Sequence, residues 1–217
     1  LMTAAKNVTR DVSLVFDFIE RPYSPVRFKE LLVSPNEMKQ KFIRLINEEI
    51  KNKQAGKPAY ILIKINHITD PVMVKKLYEA SSHGVRIDLL VRGNCSLITG
   101  VPGVSDTIRI NGIIDRYLEH SRIFIFANGG DEKMFIGSAD WMPRNLDNRV
   151  EVIAPVYDPE IKADLKRVVE YGLKDTLQGR VVDGTGENRP WISEDKTAFR
   201  SQEELYKYYL NENRIKD

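Results

Sequence analysis

The sequence predicts an α/β fold, a mixed β-sheet with helices on both faces, and three observations carry that prediction. Tyr60-Ile61-Leu62-Ile63-Lys64-Ile65, a helical segment opened by Asp70-Pro71 and closed by Gly84, and the apolar run 85–91 form a strand–helix–strand unit of about thirty residues. Such units are parallel and right-handed. Strands then follow in quick succession at 108–114, 122–126, 133–136 and 149–154, with Asn128-Gly129-Gly130-Asp131 as a hairpin turn. A helical stretch from Asp158 to about Lys174 covers one face.

The remaining elements follow in chain order. Residues 8–20 place Val12, Val15, Phe16 and Ile19 at helical spacing with Thr9 as cap, and Arg21-Pro22-Tyr23-Ser24-Pro25 stops that helix. Ser34-Pro35-Asn36-Glu37 reads as a capping box, serine at the cap and glutamate three residues on. Its helix runs to about Lys53, before Gly56-Lys57-Pro58. Between Gly93 and Ser105 three glycines and Val101-Pro102-Gly103 mark a functional or mobile loop. A short strand is expected at 179–182, a polar surface excursion at 183–196 and a terminal helix at 201–211. No internal repeat and no low-complexity segment is present.

With 217 residues and 42% hydrophobic content, the chain can bury a real core as one large domain or one domain with appendages. Lys and Arg total 33 against 31 Asp and Glu, so no global positive excess points to nucleic acid or an acidic membrane, and any polyanion must be met by a local cluster. The single cysteine, Cys95, excludes an internal disulfide and a Cys-rich zinc site, and fits a reducing cytoplasm. The longest apolar runs are too short to span a bilayer, and Leu1-Met2-Thr3-Ala4 has no signal-peptide pattern. A first residue of Leu instead of Met suggests a fragment of a longer protein.

Chemistry concentrates in three blocks: Asp115-Arg116-Tyr117-Leu118-Glu119-His120-Ser121-Arg122, Gly137-Ser138-Ala139-Asp140-Trp141 and Arg149-Val150-Glu151. His120 and Arg122 are two residues apart, so in an extended chain they share a face, where a guanidinium fork and an imidazole suit a phosphate. Ser138 offers a hydroxyl and an amide to an oxyanion, and Gly137 lets the backbone come close to a ligand. Glu151 alternates with apolar Val150 and Val152, and an imidazole needs such an acceptor to fix its orientation. Arg92 ends a buried strand, and Lys64 and Asn66 sit at the end of its neighbour, where ligands bind in α/β sheets. Arg144 adds a loop guanidinium. Each of these has a bland counterpart as an ordinary ion pair or solvent-facing group. His67 and His83 read as structural, and Cys95 as a small inert side chain. Neither a Walker A sequence nor a kinase glycine-rich loop is present.

His120-x-Arg122, Gly137-Ser138 and Glu151 together resemble the second half of the phospholipase D superfamily, whose motif is His-x-Lys followed by Asp and Gly-Ser. Two departures stand out: Arg122 replaces Lys, and Ala127 stands where the Asp is usual. Those departures are shared by a narrower group. Leu89-Leu90-Val91-Arg92-Gly93, the 115–122 block, Asn128-Gly129-Gly130-Asp131 and Ser138-Ala139-Asp140-Trp141-Met142-Pro143-Arg144-Asn145 resemble, in order, the signature blocks of the long, histidine-dependent polyphosphate kinases, over about 1–182.

That resemblance implies a phospholipase D-like fold and an enzyme that moves the terminal phosphate of ATP reversibly onto inorganic polyphosphate, with Mg2+ bound by ligands outside this chain. The phosphorylated histidine would lie on an upstream half absent here, so residues 1–32 would be a helix and linker toward it, 33–182 the second phospholipase D-like domain, and 183–217 an excursion and C-terminal helix. His120 would be the second essential histidine, contacting nucleotide phosphates and acting as acid or base, with Arg92 on ATP. Glu151 is expected to orient His120, and Arg122, Ser138, Arg144 and Lys64 are candidate phosphate contacts. The partners expected are ATP or ADP, polyphosphate, the upstream half and further copies of the protein, without nucleic acid, in the cytoplasm or peripherally at the inner membrane face. The fragment alone should be inactive. Two rivals stand beside this reading: a phospholipase D-like phosphodiesterase or nuclease built from paired copies, and a non-catalytic polyphosphate- or nucleotide-binding domain.

Overall fold

The computed structural model describes residues 2–22, 25–193 and 197–214. Eight strands form one sheet: β1 Leu32–Ser34, β2 Tyr60–Ile65, β3 Arg86–Val91, β4 Ile108–Ile113, β5 Ile123–Phe126, β6 Lys133–Gly137, β7 Glu151–Val156 and β8 Gly179–Val181. They lie side by side as β1-β7-β6-β5-β2-β3-β4-β8. β2, β3 and β4 are parallel, and every other neighbour pair is antiparallel. The predicted mixed sheet is therefore present, with the strand–helix–strand unit at its centre.

Helices α2 Met38–Gln54 and α3 Pro71–Ser82 cover one face, and α4 Pro159–Lys174 covers the other. Along β2 the side chains split accordingly, Ile61, Ile63 and Ile65 packing with Phe42, Ile46 and Leu77, and Leu62 packing with Val169. Coverage of both faces is why these strands read as unbroken apolar runs. Asp70 and Asp158 cap α3 and α4 by accepting from the second and third amides of each helix, with proline at the first turn. Helix α1 Lys6–Glu20 packs through Val8, Val15 and Phe18 on the β1–β7 edge, and α5 Ser201–Arg214 lies on α4. No helix among the described residues is long and apolar enough to cross a membrane.

Several local expectations are corrected. In α1 the stripe Val12, Phe16 and Ile19 faces outward, at 40%, 64% and 54% exposure, while Val8, Asp11, Val15 and Phe18 face in. The inward face is fixed by Asp11, whose buried carboxylate accepts the Glu30 and Leu31 amides at 2.7 and 3.0 Å. Thr9 does not cap; its hydroxyl donates back to the Ala5 and Lys6 carbonyls. Ser34 is no helix cap either. It ends β1, a strand the sequence did not reveal, and its hydroxyl donates to the Asn145 carbonyl at 2.6 Å, so α2 starts only at Met38. β7 begins two residues later than expected because the Arg149 amide closes a π-helical turn, Arg144–Asn148, onto the Arg144 carbonyl.

The hairpin turn is a 3₁₀ turn, Asn128–Gly130, with φ of 47°, 70° and 110°, a left-handed run that explains the paired glycines. The buried carboxylate at that turn comes from α2: Glu49 accepts the Asn128 and Tyr60 amides at 2.6 and 3.1 Å, and Ala127 is buried beside it. The 183–196 excursion is more than surface as far as it is described, since Trp191 is buried and donates to the Leu173 carbonyl at 2.8 Å. Residues 194–196 lie outside the described ones.

Candidate active site

Because β2 and β3 run parallel and β5, β6 and β7 alternate in direction, the carboxyl ends of β2, β3 and β6 and the amino ends of β5 and β7 share one end of the sheet. Lys64, Arg92, Arg122, Ser138 and Glu151 all lie along that rim.

Asp140, not singled out from sequence, is its hub. It is 5% exposed and accepts the Asn66 and His67 amides at 3.0 and 3.3 Å, while Arg122 donates to both its oxygens, from Nε at 3.1 Å and Nη2 at 3.0 Å. Burial works to raise the Asp140 pKa, but the Arg122 hydrogen bonds and charge and the two backbone amides outweigh it and hold the carboxyl below the usual range. The next residue anchors the loop: the Trp141 amide donates to the His67 carbonyl at 3.1 Å, and its ring is fully buried against Phe42 and Phe124.

Held by Asp140, the Arg122 guanidinium lies against His120. Nη1 donates to the His120 carbonyl at 2.9 Å, and the two Nη atoms sit 3.2 Å from the two ring nitrogens. A guanidinium has donors only, so a ring nitrogen that bonds to it serves as acceptor. The His120 side chain is otherwise exposed, so the ring faces solvent with a fixed, largely buried cation behind it.

Glu151 is engaged elsewhere. Its two oxygens accept from Ser138 Oγ and Asn145 Nδ2, each at 2.5 Å, and among the described residues no hydrogen bond joins it to His120. Ser138 is also held by the sheet: its amide donates to the Val152 carbonyl at 3.1 Å and its hydroxyl accepts the Val152 amide at 3.2 Å. The adjacent glycine serves strand packing instead of ligand approach, because a Cβ on Gly137 would meet the Val152 carbonyl oxygen at 2.4 Å and Ile153 Cα at 2.7 Å.

Lys64 is buried and ion-paired with Glu119. Half-buried Arg92 spends Nε on Asn66 Oδ1 at 3.0 Å, and the buried Asn66 Nδ2 has no partner among the described residues. Lys64, Asn66, Arg92, Glu119 and Ser121 line one small pocket. Arg144 stands exposed on the π-helical turn, with no bond of its guanidinium among the described residues. The other candidates behave structurally. His67 Nδ1 accepts the Asn94 amide at 2.9 Å, the His83 ring lies 2.8 Å from the Glu79 carbonyl at the end of α3, and burial raises the Cys95 thiol pKa.

The rim does not fit a resident metal. Asp140 is taken by Arg122 and two amides, Glu151 by Ser138 and Asn145, and Glu119 by Lys64, and no cluster of three or more His, Cys, Asp or Glu side chains suited to a metal exists among the described residues. Of the residues that shape this rim, Asp140 and Glu119 stood inside the quoted motifs, next to Trp141 and His120. Nothing in the sequence pattern marked Asn145 as the partner of Glu151.

The fold is that of the phospholipase D family: it matches the phospholipase D family member Nuc from Salmonella typhimurium with a TM-score of 0.50 over 71% of this chain and 97% of that one, at 15% identity. The family itself is shown by sequence: the chain belongs to the polyphosphate kinases, since the profile described as polyphosphate kinase C-terminal domain 2 matches residues 31–202. Polyphosphate kinase of Escherichia coli strain K12 is 44% identical over 208 residues, and that of Klebsiella pneumoniae 45%. These alignments cover 96% of this chain and 30% of each relative. The crystal structure of polyphosphate kinase from Porphyromonas gingivalis superposes with a TM-score of 0.92 at 39% identity, covering 99% of this chain and 33% of that one. The chain thus spans about a third of the length of the relatives it matches, and the similarity continues past residue 182, where the resemblance read from the sequence ends.

Proposed function

We propose that this chain is the last catalytic part of an ATP:polyphosphate phosphotransferase. In this reading a histidine on the upstream half of the longer protein attacks the γ-phosphorus of ATP, the bond from that phosphorus to the β,γ-bridging oxygen breaks, and ADP leaves. A terminal polyphosphate oxygen then attacks the phosphohistidine phosphorus, the P–N bond breaks, and the polymer is one phosphate longer; the sequence runs in reverse to regenerate ATP.

The observation that carries the reading is Arg122, locked by a buried carboxylate and laid against the exposed ring of His120. Phosphoryl transfer asks mainly for positioning and charge neutralisation, and a cation that cannot reorient supplies both without reorganisation. His120 would exchange a proton with the leaving or entering phosphate oxygen. Arg92, with the unpartnered amide of Asn66 beside it, would hold ATP phosphates, and Arg122, Ser138, Lys64 and Arg144 would contact phosphates along the rim. Lys64 would first have to release Glu119. Magnesium, if it serves the reaction, would be held by the remainder of the protein, and no step here depends on it. The same reading makes the enzyme a cytoplasmic homo-oligomer, at most peripheral to the inner membrane face.

The test restores the upstream half and follows labelled phosphate from ATP into acid-insoluble polymer. Loss of polymer in His120→Ala, with folding intact, supports the assignment, and near-normal synthesis removes it. The phosphodiesterase rival predicts phosphodiester hydrolysis by the isolated chain, whereas the kinase reading predicts none.

A further inference from the structure

We infer that the first turn of α5 is a clasp that positions the loop carrying His120, with Gln202 and Arg200 as positioning residues for phosphate transfer; the catalytic part of this inference rests on the function proposed above.

The loop between β4 and β5, residues 114–122, needs an external support. It forms no secondary structure, and Ile114, Tyr117 and Leu118 are 77%, 61% and 76% exposed, so no apolar anchor fixes it. Among the described residues its backbone polar groups make no sheet bonds until Arg122, whose carbonyl accepts the Gly137 amide of β6 at 3.4 Å. Among the described residues, the only side chain from beyond Arg122 that reaches the backbone of 114–121 is Gln202. The Tyr117 amide donates to Gln202 Oε1 at 2.9 Å, and Gln202 Nε2 donates to the Tyr117 carbonyl at 2.9 Å. One side-chain amide thereby satisfies both backbone groups of one residue, as a neighbouring strand would.

The same turn also grips the loop's acids. Gln202 Nε2 lies 2.9 Å from Glu119 Oε1, while the other Glu119 oxygen pairs with Lys64. Arg200 donates to both oxygens of Asp115, at 3.0 and 2.6 Å, a bidentate pair that fixes orientation as well as distance. The loop is thus tied at Asp115, Tyr117 and Glu119, and His120 is the next residue.

The clasp has its own anchor. Ser201, 2% exposed, donates its amide and its hydroxyl to Asp175 Oδ2 at 2.8 and 2.7 Å, and Asp175 is fully buried. The Thr176 amide donates to the Phe199 carbonyl at 3.0 Å, and the Phe199 amide donates to Thr176 Oγ1 at 3.0 Å. The Arg167 guanidinium stacks 3.9 Å from the Tyr208 ring centre and Tyr209 donates to Asp164, joining α5 to α4. A continuous set of contacts therefore leads from the α4 side of the sheet to the residue before His120. The family match ends at Gln202, so it includes the clasp.

The experiment uses the longer protein with its upstream half, comparing the parent with Gln202→Ala and with Arg200→Gln, a variant that removes the Asp115 fork without touching Tyr117. Hydrogen exchange of peptides covering Tyr117, read by mass spectrometry, tests the clasp independently of any activity. We expect exchange at Tyr117 roughly tenfold faster in Gln202→Ala, as loss of the two neutral hydrogen bonds to that residue implies. For positioning, kcat of polymer synthesis should fall roughly a hundredfold, the cost of misplacing a reacting group by about an ångström, while KM for ATP stays within about threefold. Arg200→Gln should move both readouts in the same direction. Glu204→Gln, at a residue whose carboxylate pairs with Lys207 along α5 and does not line the cavity beside Tyr117, should move neither. Unchanged exchange in both clasp variants would overturn the clasp. Faster exchange with unchanged kcat, in an enzyme that His120→Ala inactivates, would overturn its role in transfer. If His120→Ala is itself active, the functional reading fails, and the exchange data alone decide the clasp.

Discussion

Arg122 and Asp140 meet through two parallel hydrogen bonds, 3.1 and 3.0 Å long, with 10% and 7% of their side chains exposed. A pair this buried is fragile toward loss of one partner: Asp140→Ala should cost roughly 3–5 kcal/mol, because it strands a guanidinium.

The same pair sets an acid limb of stability. Asp140 titrates below its ordinary 3.8 in the fold, so between the folded value and 3.8 the unfolded chain binds more protons. Its contribution is therefore present above the ordinary value and lost as pH falls through the folded one. Urea unfolding at a series of pH values should show a shallower acid decline for Asp140→Asn than for the parent. Parallel curves would exclude Asp140 as a source of that slope.

Gly137→Ala should disrupt the rim by geometry alone. The new Cβ would lie 2.4 Å from a backbone oxygen of β7, a group that cannot swing away, so β6 and β7 must part and Ser138 must leave Glu151. The expected result is a stability loss of about 1–3 kcal/mol together with weakened phosphate transfer in the longer protein. Unfolding midpoints with parallel kinetics would check both effects.

Phe42→Ala tests how the rim is rooted in the core. Phe42 is fully buried, with ring centres 4.8 Å from Phe124 and 5.1 Å from Trp141. Truncation should cost about 3–5 kcal/mol and loosen Trp141, whose fluorescence should shift to the red before global unfolding in urea. A spectrum unchanged until the main transition would mean that Trp141 is held without Phe42.

Arg92→Ala should weaken ATP binding by the longer protein about 10- to 100-fold, as expected for losing a hydrogen bond between charged groups, worth about 1.5–3 kcal/mol. Titration calorimetry checks it. Affinity within about twofold of the parent would remove Arg92 from the nucleotide site.

The central sheet was legible because its signals are local. Tyr60–Ile65 reads as a strand in one window, and Asp70-Pro71 and Asp158-Pro159 announce helices that begin there. Ser34 misled because its sequence context fits a helix cap, while its actual partner, the Asn145 carbonyl, is 111 residues away. Val12, Phe16 and Ile19 misled for a related reason: two apolar stripes are compatible with α1, and buried Asp11, a polar residue, selects the other one. At the rim, the blocks around His120 and Ser138 could be found by residue type and spacing. The partners of Glu151 could not, since Ser138 and Asn145 claim it through the bend after β6.

The clasp at Gln202 also sets a timetable. Tyr117 is joined to a residue 85 positions later, so the loop bearing His120 cannot take its final shape until nearly the whole described chain has been synthesised. At about 5–20 residues per second this delay is roughly 4–17 s, during which the sheet can already be forming but the histidine is unsupported. A nascent chain arrested before Arg200 would therefore carry every strand of the sheet and an unfastened 114–122 loop, so the scaffold is made before the rim that it holds is closed.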